Sequence, residues 1–199
     1  MRALLKFSNA VDWVNAQIGK YVIWLILAST VISAVNAVIR KAFNMSSNAY
    51  LEVQWYLFAA AFLLAAGYTL LHGEHVKIDV VSSKLSKRGQ IWIDIIGFSV
   101  FLTPVCLTIL YYGIPFFLQG YRSGEVSANA GGLIRWPVYA MIPLGFGLLL
   151  LQGWSELIKR IAFLKGLIED PTAKKVEKTA EEELAEAIRR LAESKTSAG

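Results

Sequence analysis

His72 and His75 are the only histidines of the chain, and Glu74 and Asp79 stand close by, so this is the first place to look for metal chemistry. The two imidazoles lie three residues apart at the end of one apolar run. Placed so, they cannot clamp both faces of a haem, and no third or fourth histidine completes a metal's ligand set. Cys106 is the single cysteine and lies inside an apolar run, which rules out an internal disulfide and a thiolate metal site. No Ser-His-Asp or Cys-His arrangement is placed to act. Gly145-x-Gly147 falls within a hydrophobic run, where helix packing explains it better than a phosphate-binding loop. His72 and His75 read as polar contacts at a helix exit, and neither a catalytic residue nor a cofactor or metal site is expected.

The elements that position these residues are hydrophobic helices. The chain has 199 residues, 55% of them hydrophobic, and a mean hydropathy of +0.47. Its apolar residues are bunched into runs, as a membrane protein requires. Four runs, about residues 21–39, 53–72, 91–118 and 138–157, are each near or above the twenty helical residues that cover about 30 Å of hydrocarbon. The expected fold is an all-α integral membrane protein with four transmembrane helices in a domain spanning residues 21–168. Residues 1–20 read as an amphipathic interfacial segment and not a cleaved signal, with plain extension of the first span as the alternative. Pro104 and Pro115 predict kinks or tilt in the third span.

Several residue patterns point to partners. Ser29, Ser33 and Asn36 fall at i, i+4 and i+7 on the first span, and Ala61 with Ala65 gives the second span a small-residue face. Both patterns favour close helix–helix contact in lipid. Glu52 with Trp55 opens the second span, and Ser47 or Asn48 is placed to cap it. After that span, Ile78, Val81 and Leu85 lie opposite Lys77, Lys84 and Lys87, as in a short interfacial helix; Lys84, Lys87 and Arg88 are lipid-headgroup candidates. Asp94 is expected to pair with Lys87 or Arg88 or to reach water. Residues 169–199 form a charged tail in which, from Thr172 onward, six basic residues meet six acidic ones. Thr179-x-x-Glu182 suggests a solvated helix within it.

The net charge of +5 therefore sits in short loops beside the apolar runs, which argues for membrane topology and against nucleic acid. One side of the four runs carries Arg2, Lys6, Lys20, Lys77, Lys84, Lys87, Arg88, Lys159, Arg160 and Lys165; the other carries Arg40, Lys41, Arg122 and Arg135. This asymmetry places both termini in the cytoplasm. No ionisable residue lies near the middle of any run, whereas transporters of polar substrates usually have one.

The motifs resemble a known family. Glu52 and Trp55 followed by Gly73-Glu74-His75-Val76-Lys77-Ile78-Asp79 resemble the second-helix exit of the small, DctQ-like permease subunit of tripartite ATP-independent periplasmic (TRAP) transporters. The stretch Gly124-Glu125-Val126-Ser127 through Gly131-Gly132-Leu133-Ile134-Arg135-Trp136-Pro137, with Ile142-Pro143-Leu144-Gly145-Phe146 and Leu151-Gln152-Gly153, is similar to the mannitol/chloroaromatic branch, which includes 2-oxoacid transporters. The resemblance covers about residues 10–168. It implies a bacterial inner-membrane protein without catalytic activity that scaffolds a large elevator-type permease. A periplasmic binding protein would deliver an organic acid, and the sodium and substrate sites would lie on the large subunit. On this reading the partner-facing candidates are Ser29, Ser33, Asn36, Glu52, Trp55, Ala61, Ala65, Gly73, His75, Asp79, Glu125, Arg135, Trp136 and Pro137. Glu125 and Arg135 are the residues expected to dock the binding protein. A self-associating four-helix channel and a haem-binding redox subunit are the alternatives.

Overall fold

Charged residues, glycines and prolines set where each hydrophobic helix starts and stops. The structure, a computed structural model, describes residues 1–44, 47–73 and 85–169. Helix α1 runs from Arg2 to Phe43 without a break, with Arg40 and Lys41 in its last turn and Asn44 in the left-handed conformation at its end. Both features complement the exposed carbonyls at a helix C-terminus. Its 42 residues extend about 63 Å, roughly twice a bilayer's hydrocarbon core. Residues 1–20 belong to the first half of this rod, and the buried residues Ser8, Val11 and Asn15 recur there at helical spacing.

Helix α2, Asn48–His72, is capped by the Ser47 side chain, which accepts the Ala49 amide at 3.3 Å. Gly73 ends it at φ 66°, donating its amide to carbonyls of the last turn; a left-handed residue there favours glycine. The third hydrophobic stretch is composite. Helix α3 (Lys87–Ile96) passes into a π-helical turn (Gly97–Leu102) and then into α4 (Thr103–Ser123). Pro104 occupies the first turn of α4, where it has no amide to donate. Both the Thr103 amide and its hydroxyl (2.8 Å) donate to the Phe98 carbonyl, which holds the wide turn. Pro115 is accommodated within α4 without ending it.

Helix α5, Trp136–Leu164, starts with Pro137 in its first turn and contains Pro143. It touches every other element and is the centre of the bundle. A third of its most apolar window (33%) is buried, against 6–11% in the other three spans. At Gly145 the backbones of α2 and α5 come so close that a Cβ would lie 2.7 Å from the Leu63 carbonyl oxygen. Ala61 is buried on the same helix α2. Four helical stretches, Arg2–Phe43, Asn48–His72, Lys87–Ser123 and Trp136–Leu164, are long and apolar enough to cross a membrane.

Glu74, His75, Lys77, Asp79 and Lys84, most of the expected interfacial helix, and the charged tail from Asp170 onward lie outside the described residues.

Candidate functional site

Polar side chains inside this apolar bundle collect into two clusters, one at each end. At the first end, α1 and α5 run antiparallel and present matching polar stripes. Ser8, Asn15, Gln152 and Ser155 are fully buried. The Ser8 and Ser155 hydroxyls are 2.6 Å apart. Asn15 donates to Gln152 Oε1 at 2.9 Å, and Gln152 donates in turn to Asp12 at 2.8 Å. Ser155 donates to the same Asp12 oxygen at 2.7 Å. Lys159 bridges Asp12, at 3.0 Å, and Glu156.

Arg160 ties the third span to this network. Its guanidinium pairs with Asp94 of α3 at 2.8 Å and with Glu156, and lies 4.8 Å over the ring of Phe98 in the π-helical turn. An arginine buried at 5% exposure needs such company, because an unpaired charge away from water is costly. Asp94, expected beside Lys87 or Arg88, thus has Arg160 as a partner, and Arg160, counted above as a loop charge, is buried. The sequence signal was there to be found: Ser8, Asp12 and Asn15 share one helix face, as do Gln152, Ser155 or Glu156, and Lys159 or Arg160. The pairing of the two faces was not visible.

At the other end, Glu52 is only 3% exposed. Its carboxylate accepts the Leu133 amide at 2.7 Å, the Ser127 hydroxyl and the Asn129 side-chain amide at 2.9 Å. An ionised carboxylate can accept all three. The donors come from a hairpin in the 124–135 connection. There the Arg135 amide donates to Glu125 O and the Ser127 amide to Leu133 O, each at 2.9 Å. Asn48 and Tyr56 of α2 add bonds to the carbonyls of Ala130 (3.1 Å) and Ile134 (3.2 Å). The hairpin is therefore fastened to the start of α2 at several points. On its outer side Glu125 and Arg135 pair at 3.5 Å with both side chains about 40% exposed (44% and 39%), and Tyr139 donates to Glu125 at 3.0 Å.

The remaining candidates divide. Ser29 donates to the Gln54 carbonyl at 3.4 Å, joining α1 to α2 within the chain. Ser33 is exposed and Asn36 buried on the same helix. Ala65 is half-buried, whereas Trp55 is 63% exposed. Trp136 makes an edge-on contact with Tyr121, ring centres 5.5 Å apart, and Pro137 is half-buried. Lys87 and Arg88 are exposed. His72 bonds the Tyr68 carbonyl through Nδ1 at 3.0 Å and packs on the Tyr68 ring. Among the described residues no group of three or more His, Cys, Asp or Glu side chains is arranged to hold a metal ion.

The model of a family described as "Tripartite ATP-independent periplasmic transporters, DctQ component" matches residues 29–163, more than half of the chain. The chain belongs to the DctQ family. It is a small TRAP transporter subunit and a multi-pass membrane protein. No curated protein and no solved structure matches it. The match takes in the whole Glu52 clamp and the α5 half of the buried network of this DctQ component. Ser8, Asp12 and Asn15, which complete that network from α1, precede the matched residues.

Proposed function

We propose that this DctQ component is a non-catalytic scaffold: a rigid, stationary body against which the large permease subunit of a sodium-coupled TRAP transporter moves. The observation that carries this reading is the position of the polar groups. Both clusters lie at helix ends and are largely satisfied by their own hydrogen bonds and ion pairs, while the middle of each span holds no ionisable side chain. A chain that moved an anion by itself would need a polar group or broken helix at mid-depth. A scaffold needs fixed helix ends and an apolar outer surface.

On this reading the protein lies in the bacterial inner membrane with both termini in the cytoplasm, as the basic flanks support. The fastened hairpin then faces the periplasm, and its exposed Glu125–Arg135 pair is offered to the binding protein that delivers the organic acid. The motif in residues 124–137 supports a 2-oxoacid or related carboxylate as cargo.

Reconstitution tests both parts. Vesicles holding this chain with the large subunit and supplied with binding protein should take up substrate on a sodium gradient, and vesicles holding this chain alone should not. Uptake by the lone chain would overturn the scaffold reading. Glu125→Lys with Arg135→Glu should lower binding-protein-dependent uptake, since rim charges steer association; unchanged kinetics would remove the hairpin from docking.

A further inference from the structure

We propose that the outward face of α4 seats a transmembrane helix of the large permease subunit, which pairs with the hydroxyls of Thr108, Tyr111 and Tyr112. The proposal rests on the scaffold reading above and gives it a contact surface. The third span leans on α5 and has no comparable contact with α1 or α2. Its side toward α5 is small and apolar. Cys106, Gly113 and Gly120 are buried there at seven-residue intervals, with Gly113 against Ile142 and Gly120 against the Tyr139 ring. The helical period sets Thr108, Tyr111, Tyr112, Gln119 and Arg122 on the opposite side, and all five are exposed. A span bordered by lipid turns its apolar side outward; here the polar residues are outside. Elsewhere the outer surface keeps the ordinary order, as at Phe58 and Phe62 of α2 and Val31 and Val35 of α1.

Tyrosine at the membrane surface is ordinary, but these two lie ten and eleven residues before Arg122, about 15 Å along the helix. Helical side chains lean toward the N-terminus of their helix, here away from that surface. Tyr111 and Tyr112 are 72% and 68% exposed, and their rings meet edge-on. Thr30 and Thr69 donate to carbonyls of their own helices. Among the described residues, the hydroxyls of Thr108, Tyr111 and Tyr112 have no such partner. Pro115, on the same face, has no amide for the Tyr111 carbonyl. An acyl chain offers nothing to these groups, whereas polar side chains of a neighbouring helix do. Turned outward, they line no path through this chain.

Charge decides between the large subunit and a second copy. Arg122 shares this face and has no acidic partner among the described residues. Two copies apposed in the membrane about a two-fold axis would bring their Arg122 side chains together, and like charges repel. A different chain can bring a carboxylate or a carbonyl to that position, and the tripartite family supplies the large permease as that chain.

The test uses the tagged chain co-expressed with the large subunit. A benzophenone amino acid placed at Val105, one turn from Thr108 and 54% exposed, should crosslink to the large subunit on irradiation in membranes. Tyr111→Phe with Tyr112→Phe removes the two hydroxyls and keeps the rings. Recovery of the large subunit from detergent should then fall by about tenfold, the scale of two hydrogen bonds between membrane helices. The melting temperature of the lone chain should not fall, because neither hydroxyl has a partner within it.

Full recovery by the tyrosine variant would overturn the proposal and leave the scaffold reading intact. So would crosslinks from Val105 to a second copy or to phospholipid alone, or a lower melting temperature of the lone variant chain. Failure of the wild-type chain to recover the large subunit would sink the scaffold reading, and this contact with it.

Discussion

Glu52 accepts the backbone amide of Leu133 at 2.7 Å across 81 residues of sequence. The bond makes the 124–135 hairpin part of the helical body. Without Glu52, a connection rich in Gly, Ser and Ala would keep only the Asn48 and Tyr56 bonds and its own backbone pairing, because few of its side chains bury apolar area. Glu52 therefore acts less as an outward-facing charge than as the anchor of the surface that bears Glu125 and Arg135.

Glu52→Ala should free the hairpin. Hydrogen exchange at the Leu133, Ser127 and Arg135 amides should accelerate by about tenfold or more, as expected when a local opening equilibrium shifts. Exchange in α5 should stay near its wild-type rate. Unchanged protection at Leu133 would mean that the backbone hairpin bonds suffice alone.

Arg160 should be the most sensitive charged position. Arg160→Met removes the buried cation that joins Glu156 to the half-buried Asp94 and leaves Glu156 to Lys159 alone, a change expected to cost on the order of 3 kcal/mol. For a chain of this size that is roughly 6–12 °C in melting temperature, measurable in detergent. Arg160→Lys should recover only part of it, since a lysine cannot span both carboxylates and cover the Phe98 ring. Full recovery by lysine would show that charge alone matters here.

Two glycines of α5 should behave oppositely although they are two residues apart. Gly145→Ala sets a Cβ 2.7 Å from the Leu63 carbonyl oxygen, and overpacking of this kind costs about 1–3 kcal/mol. Gly147 has nothing within 4 Å of the same position, so Gly147→Ala should be neutral or stabilising by up to about 1 kcal/mol from helix propensity. Thermal unfolding of the two variants side by side decides the matter, and equal effects would place the α2–α5 contact elsewhere.

The proposed orientation can be read by labelling. In a Cys106→Ser background, Ala128→Cys in the hairpin should react with a membrane-impermeant maleimide on intact spheroplasts. Lys165→Cys, at the other end of α5, should react only after lysis. The reverse pattern would invert the topology.

Much of the architecture was legible in the sequence. The apolar runs are long and their breaks are marked by Ser47, Gly73, Ser86 and Gly124, each of which caps or ends a helix in the structure. Hydrophobic length and local capping depend only on neighbours in the chain, so they can be read from it. The π-helical turn before Pro104 was less accessible. A proline there signals a break, but the wide turn depends on the Thr103 hydroxyl and on Phe98 having Arg160 to cover.

The sequence by itself determined that this protein is four hydrophobic helices with basic residues gathered at one end, because composition and span length follow from the solvent that the helices must occupy. Only the tertiary structure decided which polar residues are spent inside. Asp12 with Lys159, Asp94 with Arg160, and Glu52 with the hairpin are distant pairs. Their meeting depends on how antiparallel helices register, and no residue's type or local spacing carries that information. The same packing left the Asn36 Oδ1 buried without a partner.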